Sequence, residues 1–252
     1  MKLQNKVAVV TGARSGMGRA IAELYAREGA KVVVADLNQA NIDTVVESIV
    51  ASGGEAVGVT ANVAKDADVT AMVETAVRTF GSIDVLVNNA GIMDNFVPVA
   101  DVTDELWERV LGVNLYGPFY ACRAALKHMV GQESGGVIIN NASVGGLFGA
   151  RGGSSYVTSK HGVIGLTKSI AATYGRDGKI RCNAIAPGAV NTNIGSTITA
   201  PHPLGLAAQN DTGPARTGDP MDIARVALFL ASDDAGFVNG DVVKVDGGWT
   251  AR

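Results

Sequence analysis

The sequence predicts a doubly wound α/β fold: one parallel sheet covered by helices on both faces, in a single domain over residues 1–252. Three observations predict it. Short β-branched runs alternate with runs of helical period along the whole chain. Alternation of that kind needs a parallel sheet with right-handed crossovers. The strand-like runs are apolar at successive positions, as strands buried on both faces are. The 32 glycines follow no collagen-like period and suit many tight strand–helix turns. No internal repeat, low-complexity tract or linker interrupts the pattern.

Lys6-Val7-Ala8-Val9-Val10 reads as the first buried strand. It runs into the turn Thr11-Gly12-Ala13-Arg14-Ser15-Gly16-Met17-Gly18, and a helix follows with Ile21, Leu24 and Tyr25 on one side and Gly29 as its stop. Glycines in such a turn let the backbone approach a pyrophosphate, while the helix N-terminus offers N–H groups and a partial positive charge. The spacing differs from the common dinucleotide fingerprint, and a tight turn without a ligand is the alternative. A second strand, Lys31 to Ala35, ends at Asp36. An acid there can accept hydrogen bonds from both adenosine ribose hydroxyls and repels a 2′-phosphate. Asp36 therefore argues for NAD over NADP. Arg14, a cation in the glycine turn, pulls more weakly the other way.

The pattern continues with a helix over Gln39 to Ala51, a strand at Ala56 to Thr60, a helix from Asp66 to Phe80 and a strand at Ile83 to Val87. One long helix is expected from Thr103 to Val130, then the strand Gly136 to Asn140. A helix carrying Tyr156 extends to Tyr174, followed by the strand Ile180 to Ile185, a helix at Met221 to Ala231 and a last strand, Val242 to Val245. Residues Ala189 to Gly218 break the rhythm, with Pro201, Pro203 and Pro214 and little periodicity. A loop that long in a compact domain is usually functional. Ile194, Ile198, Leu204 and Leu206 give it the apolar underside of a substrate lid; a surface insertion packed on a neighbouring subunit is the alternative.

Composition excludes several function classes. With 21 Lys+Arg against 24 Asp+Glu and no basic stripe, nucleic acid is not an expected partner. Hydrophobic residues make up 47% of the chain, which excludes disorder. No apolar stretch is long enough to span a bilayer. The first strand begins too early to leave room for a signal peptide, and Cys122 and Cys182 read as small buried side chains. A cytoplasmic protein is expected. His128, His161 and His202 have no metal-ligand spacing with acids or cysteines, so no metal is expected.

Tyr156 and Lys160 lie four apart, hence on one face of a helix. A free phenol titrates near ~10 and is a poor base at neutral pH. An ammonium held beside it favours the phenolate, which makes the pair a proton donor and acceptor for a hydroxyl or carbonyl.

Taken together these motifs resemble the short-chain dehydrogenase/reductase family, in its single-domain, Rossmann-like subtype of about this length. The resemblance covers nearly the whole chain. It rests on Thr11–Gly18, on Asn88-Asn89-Ala90-Gly91 after the fourth strand, and on Asn114 within Trp107…Val110…Val113-Asn114-Leu115. Ser143 precedes Tyr156 by the family's interval, Pro187-Gly188 with Thr192 resembles its nicotinamide-side motif, and Val245-Asp246-Gly247-Gly248 its C-terminal strand. Asn62-Val63 departs from the Asp-Val often found beside the adenine, although the Asn62 amide oxygen can still accept a hydrogen bond.

The resemblance implies catalytic roles for Asn114, Ser143, Tyr156 and Lys160. Tyr156 would exchange the proton, Ser143 orient the substrate oxygen, Lys160 lower the phenol's proton affinity and bind the ribose, and Asn114 hold a water beside Lys160. It implies cofactor contacts from Gly12, Arg14, Ser15, Gly16, Met17, Gly18, Asp36, Leu37, Asn62, Val63, Asn89, Ala90, Gly91, Tyr156, Lys160, Pro187, Gly188, Val190 and Thr192. Substrate contacts are expected from Ser143, Gly145, Leu147, Tyr156 and Val190, in a wall that also draws on Met93, Asn95, Val144, Phe148, Ala150, Gly152, Gly153 and Ala189. The expected reaction is hydride transfer between a nicotinamide cofactor, NAD before NADP, and a small ketone or secondary alcohol. A reductase of carrier-protein-bound 3-oxoacyl chains is the alternative and would need a basic docking patch, for which Arg151, Arg176 and Lys179 are candidates. A nucleotide-sensing binding protein or a structural subunit would be expected to have lost a member of the catalytic set. Broad apolar arcs on the helices around Asn114–Met129 and Tyr156–Ala171 point to a covering partner; the resemblance, whose members pair these helices with their copies and add a C-terminal contact near Trp249, implies a homotetramer with dihedral symmetry.

Overall fold

A computed structural model describes residues 1–213 and 215–251; Pro214, one of the three prolines of the irregular segment, lies outside them. The strands are β1 (Val7–Thr11), β2 (Lys31–Asp36), β3 (Glu55–Thr60), β4 (Val85–Asn88), β5 (Gly136–Asn141), β6 (Ile180–Pro187) and β7 (Val242–Val245). They form one seven-stranded sheet in the order β3-β2-β1-β4-β5-β6-β7, and each neighbouring pair is parallel. The order reverses between β1 and β4. Crossovers therefore leave in both directions from that point and put helices on both faces.

One face is covered by α1 (Gly16–Arg27), α2 (Gln39–Ala51) and α8 (Pro220–Ala231), whose Ile21, Tyr25, Ile42, Ile49 and Ile223 are buried with Ala8, Val10, Val32 and Val34 of the sheet. The Tyr25 hydroxyl donates to the Ala227 carbonyl at 2.9 Å and ties α1 to α8. The other face is covered by α3 (Asp66–Phe80), α5 (Gly117–Met129) and α6 (Ser154–Tyr174), whose Met72, Leu126, Met129 and Ile170 meet Val7, Val9 and Leu86. Between these layers Asn88 donates to Asn140 at 2.8 Å, and Asn140 to Thr167 at 2.9 Å. A buried amide must find partners; here Asn88 bonds Asn140 on the neighbouring strand, and Asn140 bonds the Thr167 hydroxyl on α6. Both cysteines are free and buried against this network, and burial pushes the Cys122 thiol up to about 12.

The helix expected from Thr103 to Val130 is not one α-helix. Residues Asp104–Leu111 form α4, and Gly112–Tyr116 open into a π-helical turn before α5. Pro118 has no N–H and its ring crowds the carbonyl four residues back, that of Asn114, so the ladder widens there. The widened turn carries Asn114, which is fully buried.

The segment expected to be irregular leaves the sheet after β6 and returns to its starting point. Val190 and Gly218 form a parallel bridge, with Gly218 N–H donating to the Ala189 carbonyl at 2.9 Å and Asn191 N–H to the Gly218 carbonyl at 3.0 Å. Between them run a 3-10 turn, Asn193–Thr197, and α7 (Pro203–Asn210). Ile194, Ile198 and Leu206 pack down on Met93, Phe96 and Tyr156. Leu204 does not: it is 65% exposed. Within α7 it is two residues from Leu206, about 200° around the helix, so only one of the two can face inward.

Candidate active site

A doubly wound sheet offers a ligand crevice where its strand order reverses, outside the carboxyl ends of the strands. The glycine turn after β1 opens there. A cleft at that point is lined by Gly12, Arg14, Ser15, Gly16, Met17, Asp36, Leu37, Asn62, Val63, Asn89, Ala90, Gly91 and Thr192, all expected from the sequence, and by Ala61, Ile92 and Val113, which were not. Gly18 lines no part of it. It packs behind the turn, where a Cβ would stand 2.2 Å from the Gly12 carbonyl oxygen and 2.5 Å from Asn89 Nδ2. Its role is to let α1 close on the turn. Asn89 holds the turn from the other side: its Nδ2 donates to the Thr11 and Gly12 carbonyls at 3.0 and 3.2 Å.

At the far end of the cleft the Asp36 carboxylate accepts from Leu37 N–H at 2.7 Å and Arg14 N–H at 3.2 Å. Arg14 Nε lies 3.4 Å from the same carboxylate, which is 9% exposed. The two groups that argued for opposite cofactors are thus paired. Asn62 also lines the cleft, with its Oδ1 accepting from Ala64 N–H at 3.0 Å in a local turn.

The cleft continues into a smaller cavity lined by Asn141, Ala142, Ser143, Tyr156, Lys160, Pro187, Gly188 and Val190. The two share Met17, Asn89, Gly91, Thr192 and Ile194. Lys160 is buried and its Nζ donates to the Asn141 carbonyl at 2.9 Å, 5.7 Å from the centre of the Tyr156 ring. Burial pulls the Lys160 ammonium down to about 8. Burial also pushes the Tyr156 phenol above its ordinary value; the neighbouring Ser143 hydroxyl pulls it down and the charge of Asp94 pushes it up. The phenol is therefore harder to ionise here than in water, opposite to what the Tyr156–Lys160 spacing alone implies, because removing the ring from water outweighs a cation whose hydrogen bond goes to the backbone.

Asn114 is held by the chain itself. Its Oδ1 accepts from Ile92 N–H at 2.9 Å, and its Nδ2 donates to the Ile92 carbonyl at 2.9 Å and to Ser159 Oγ at 3.2 Å. A Cβ on Gly91 would lie 3.4 Å from Asn114 Oδ1 and 3.5 Å from Lys160 Nζ, so glycine keeps the space between them open.

A family profile described as enoyl-(acyl carrier protein) reductase matches residues 12–250. The 3β-hydroxysteroid dehydrogenase 2 of Eggerthella lenta is 43% identical over 99% of this chain and 96% of its own length. The cyclohexanol dehydrogenase of an Acinetobacter species is 41% identical over 100% of this chain and 97% of its own. The crystal structure of a short-chain type dehydrogenase/reductase from Mycobacterium marinum superposes with a TM-score of 0.89 at 32% identity, covering 100% of this chain and 98% of that one. The chain belongs to the short-chain dehydrogenase/reductase family.

As a short-chain dehydrogenase/reductase it is an oxidoreductase that moves a hydride between a nicotinamide cofactor and a ketone or secondary alcohol. The residues present fit such a cofactor. The glycine turn presents the N-terminus of α1 to a pyrophosphate, and Asn141 Oδ1 is buried at the inner cavity without a hydrogen-bond partner. Of the substrate contacts expected of the dehydrogenase, Ser143, Tyr156 and Val190 line the inner cavity. Gly145 packs directly on Tyr156, with its Cβ position 3.2 Å from the ring. Leu147 instead packs against Ala142, Val163, Ile164 and Ala184, and Phe148 is 40% exposed with Lys244 over its ring. Asn95 turns its Oδ1 to Thr199 N–H of the flap, at 2.8 Å, and Phe96 takes the inward place beside Tyr156.

Asn141 and Asp94 are not among the residues expected from the sequence. Asn141 supplies the carbonyl that holds Lys160, and its Nδ2 donates to Asn89 Oδ1 at 2.9 Å. The signal was available for Asn141, since two amides in succession at the end of an apolar strand are costly unless each is bonded. A lone aspartate in the irregular stretch after β4 carries no such signal.

Proposed function

We propose that the protein is an NAD(H)-dependent dehydrogenase of neutral, apolar, cyclic ketones and their secondary alcohols, with Tyr156 as the group that exchanges the substrate proton. The observation that carries this reading is the surface facing Tyr156. It consists of Met93 and Phe96 and, from the flap, Ile194, Ile198 and Leu206, all packed with the ring, and Ile194 also lines the inner cavity. Arg151, the nearest candidate for a carboxylate or phosphate partner, has its guanidinium stacked on Trp249, 4.2 Å from the ring centre. Arg176 and Lys179 precede β6 and so lie at the amino edge of the sheet, opposite the cavity, which speaks against a docking patch for a carrier protein. The similarity to dehydrogenases named for a hydroxysteroid and for cyclohexanol points to ring ketones.

In this reading Tyr156 protonates the carbonyl oxygen during reduction and accepts the hydroxyl proton during oxidation. Ser143 donates to that oxygen and orients it. Lys160 and Asn114 both border the space at Gly91, which this reading takes as the proton's route away from the phenol. When bound, the nicotinamide supplies or accepts the hydride. Residues 1–252 act as one domain and the flap over 189–218 as the substrate lid, which keeps water from the reacting centre. A cytoplasmic location belongs to the same proposal and suits two free buried thiols.

A panel of cyclohexanone, a 3-oxosteroid and a 3-oxoacyl thioester, each with NADH and NADPH, tests the reading. The expected result is fastest turnover of a cyclic ketone with NADH. Asp36→Ala should narrow the gap between the cofactors, because the charge that repels a 2′-phosphate is gone. A thioester preference, or a wild-type kcat/KM that favours NADPH, overturns the corresponding half of the proposal.

We propose a homotetramer of closed dihedral symmetry as the working assembly. Much of the arc expected on α5 is spent inside the chain, where Cys122, Leu126 and Met129 are buried. Phe119 remains 43% exposed on α5, with the Arg123 guanidinium 4.9 Å from its ring centre, and Phe237 near the C-terminus is fully exposed. Exposed aromatics on two separate surfaces suit two kinds of contact. Light scattering at micromolar concentration should give four times 25.8 kDa; an active monomer of that single mass contradicts it.

A further inference from the structure

The helix that carries Tyr156 is not capped by its own sequence. Its N-cap is Gly153, which has no side chain to offer, and the next residues make no cap hydrogen bond. The missing acceptor comes from 62 residues earlier. Asp94 is fully buried. Its Oδ2 accepts from the N–H of Tyr156 at 2.8 Å, and its Oδ1 accepts from the N–H of Gly153 at 2.8 Å and of Phe96 at 3.2 Å. This is the bond that an N-cap side chain makes to the third helical residue, delivered from another element. The fit allows no change at Gly153, where a Cβ would stand 2.6 Å from Oδ2 and 2.4 Å from Val97 N. The segment that brings Asp94 into place carries backbone strain: Asn95, at φ 57°, is of a type that tolerates the left-handed region, but the bulky Phe96 follows at 58°.

We propose that Asp94 is a positioning residue for proton transfer: its carboxylate anchors the first turn of α6 and so fixes where the Tyr156 hydroxyl stands relative to Ser143 and Lys160. The inference rests on the reading of Tyr156 as the proton donor and acceptor. Tyr156 is the third residue of the helix, within the turn that Asp94 holds, so a loosened turn displaces the ring directly. Asp94 also places a negative charge beside the phenol, which favours the protonated form that carbonyl reduction requires. The other groups facing the phenol are Lys160 on the same helix and the Ser143 hydroxyl after β5; among the described residues of the flap, Ile194, Ile198 and Leu206 pack with the ring, and Val190 and Thr192 line the same cavity without bringing a charge. Arg151 is turned onto Trp249, and His202 of the flap faces Asp101 at 3.3 Å.

Asp94→Asn removes the charge at nearly constant size and leaves one acceptor where there were two; Asp94→Glu keeps the charge and moves it by one methylene. Each is measured for kcat, for cofactor Kd, and for the pH profile of kcat/KM in alcohol oxidation. A misplacement of about 1 Å costs on the order of 10²-fold in rate. Both variants should therefore lose at least about tenfold in kcat, with cofactor Kd within twofold of wild type. In Asp94→Asn the limb set by ionisation of the phenol should move to lower pH, and in Asp94→Glu it should stay. An Asp94→Asn enzyme with wild-type kcat and an unmoved limb overturns the proposal, as does a loss of kcat matched by an equal loss of cofactor binding. Should Asp94→Asn not fold, Asp94→Glu decides: a wild-type kcat there overturns the proposal, and a lowered kcat with an unchanged limb supports it. Tyr156→Phe separates the two claims. If that variant turns over normally, the reading of Tyr156 is wrong; if it is inactive while the Asp94 variants are normal, only the role of Asp94 is wrong.

Discussion

Tyr156→Phe is expected to lower kcat by about 10²–10⁴-fold, the contribution of a positioned general acid–base group, and to leave cofactor affinity unchanged. The variant keeps the buried ring against Met93 and Phe96 and loses only the hydroxyl. Because the ring is 6% exposed and its backbone is anchored by Asp94, the fold should tolerate the change. The residual rate should also lose the pH limb that wild type shows in alcohol oxidation, since the titrating group has been removed. Steady-state rates with a cyclic ketone, together with a fluorescence titration of NADH, check both halves. A variant that keeps more than about a tenth of the wild-type rate lies outside the range for such a group and sinks the assignment.

Gly18→Ala should act at the other end of the site and in the opposite sense, on binding before chemistry. Its Cβ would stand 2.2 Å from the Gly12 carbonyl oxygen and 2.5 Å from Asn89 Nδ2. Neither neighbour is the free end of a flexible chain. The Gly12 carbonyl belongs to the turn itself, and Asn89 is fixed by its bonds to Thr11, Gly12 and Asn141. Overpacking of this kind costs about 1–3 kcal/mol. Cofactor Kd should therefore weaken by roughly 10–100-fold, at about 1.4 kcal/mol for each tenfold, with Tm lowered by several degrees. An unchanged Kd would show that the turn yields without cost and that Gly18 does not set its shape.

The two variants probe parts of the molecule that differed in how plainly the sequence announced them. The glycine turn was legible because its signal is local: a β-branched run, glycines at fixed offsets, and a helix that follows at once. Tyr156 and Lys160 stood out by their spacing, and Asn114 and Ser143 only through the family resemblance; the fold brings Ser143, Tyr156 and Lys160 to one cavity, with Asn114 beside Gly91 at its edge. Asp94 was not legible, since its effect depends on Gly153 and Tyr156, 59 and 62 residues away. The π-helical turn that carries Asn114 was not legible, because one proline at position 118 reads in sequence as a small perturbation of a long helix.

By itself the sequence determined the order of the strands and of the helices between them outside residues 103–130 and 189–218, the parallel sheet they must form, and the side chains available at its carboxyl edge. These follow from rules that act over a few residues: the period of apolar positions, the φ of glycine and proline, and the alternation that forces crossovers. Only the tertiary structure decided which of those side chains pair and what state they hold. Arg14 meets Asp36, Leu206 turns inward while Leu204 turns out, and a carboxylate from the β4 connection caps the helix that carries Tyr156. The proton affinities of Tyr156 and Lys160 belong to the same class. Each is set by how much water the surrounding chain removes and by which distant charge it brings near, and neither quantity exists until the chain has folded.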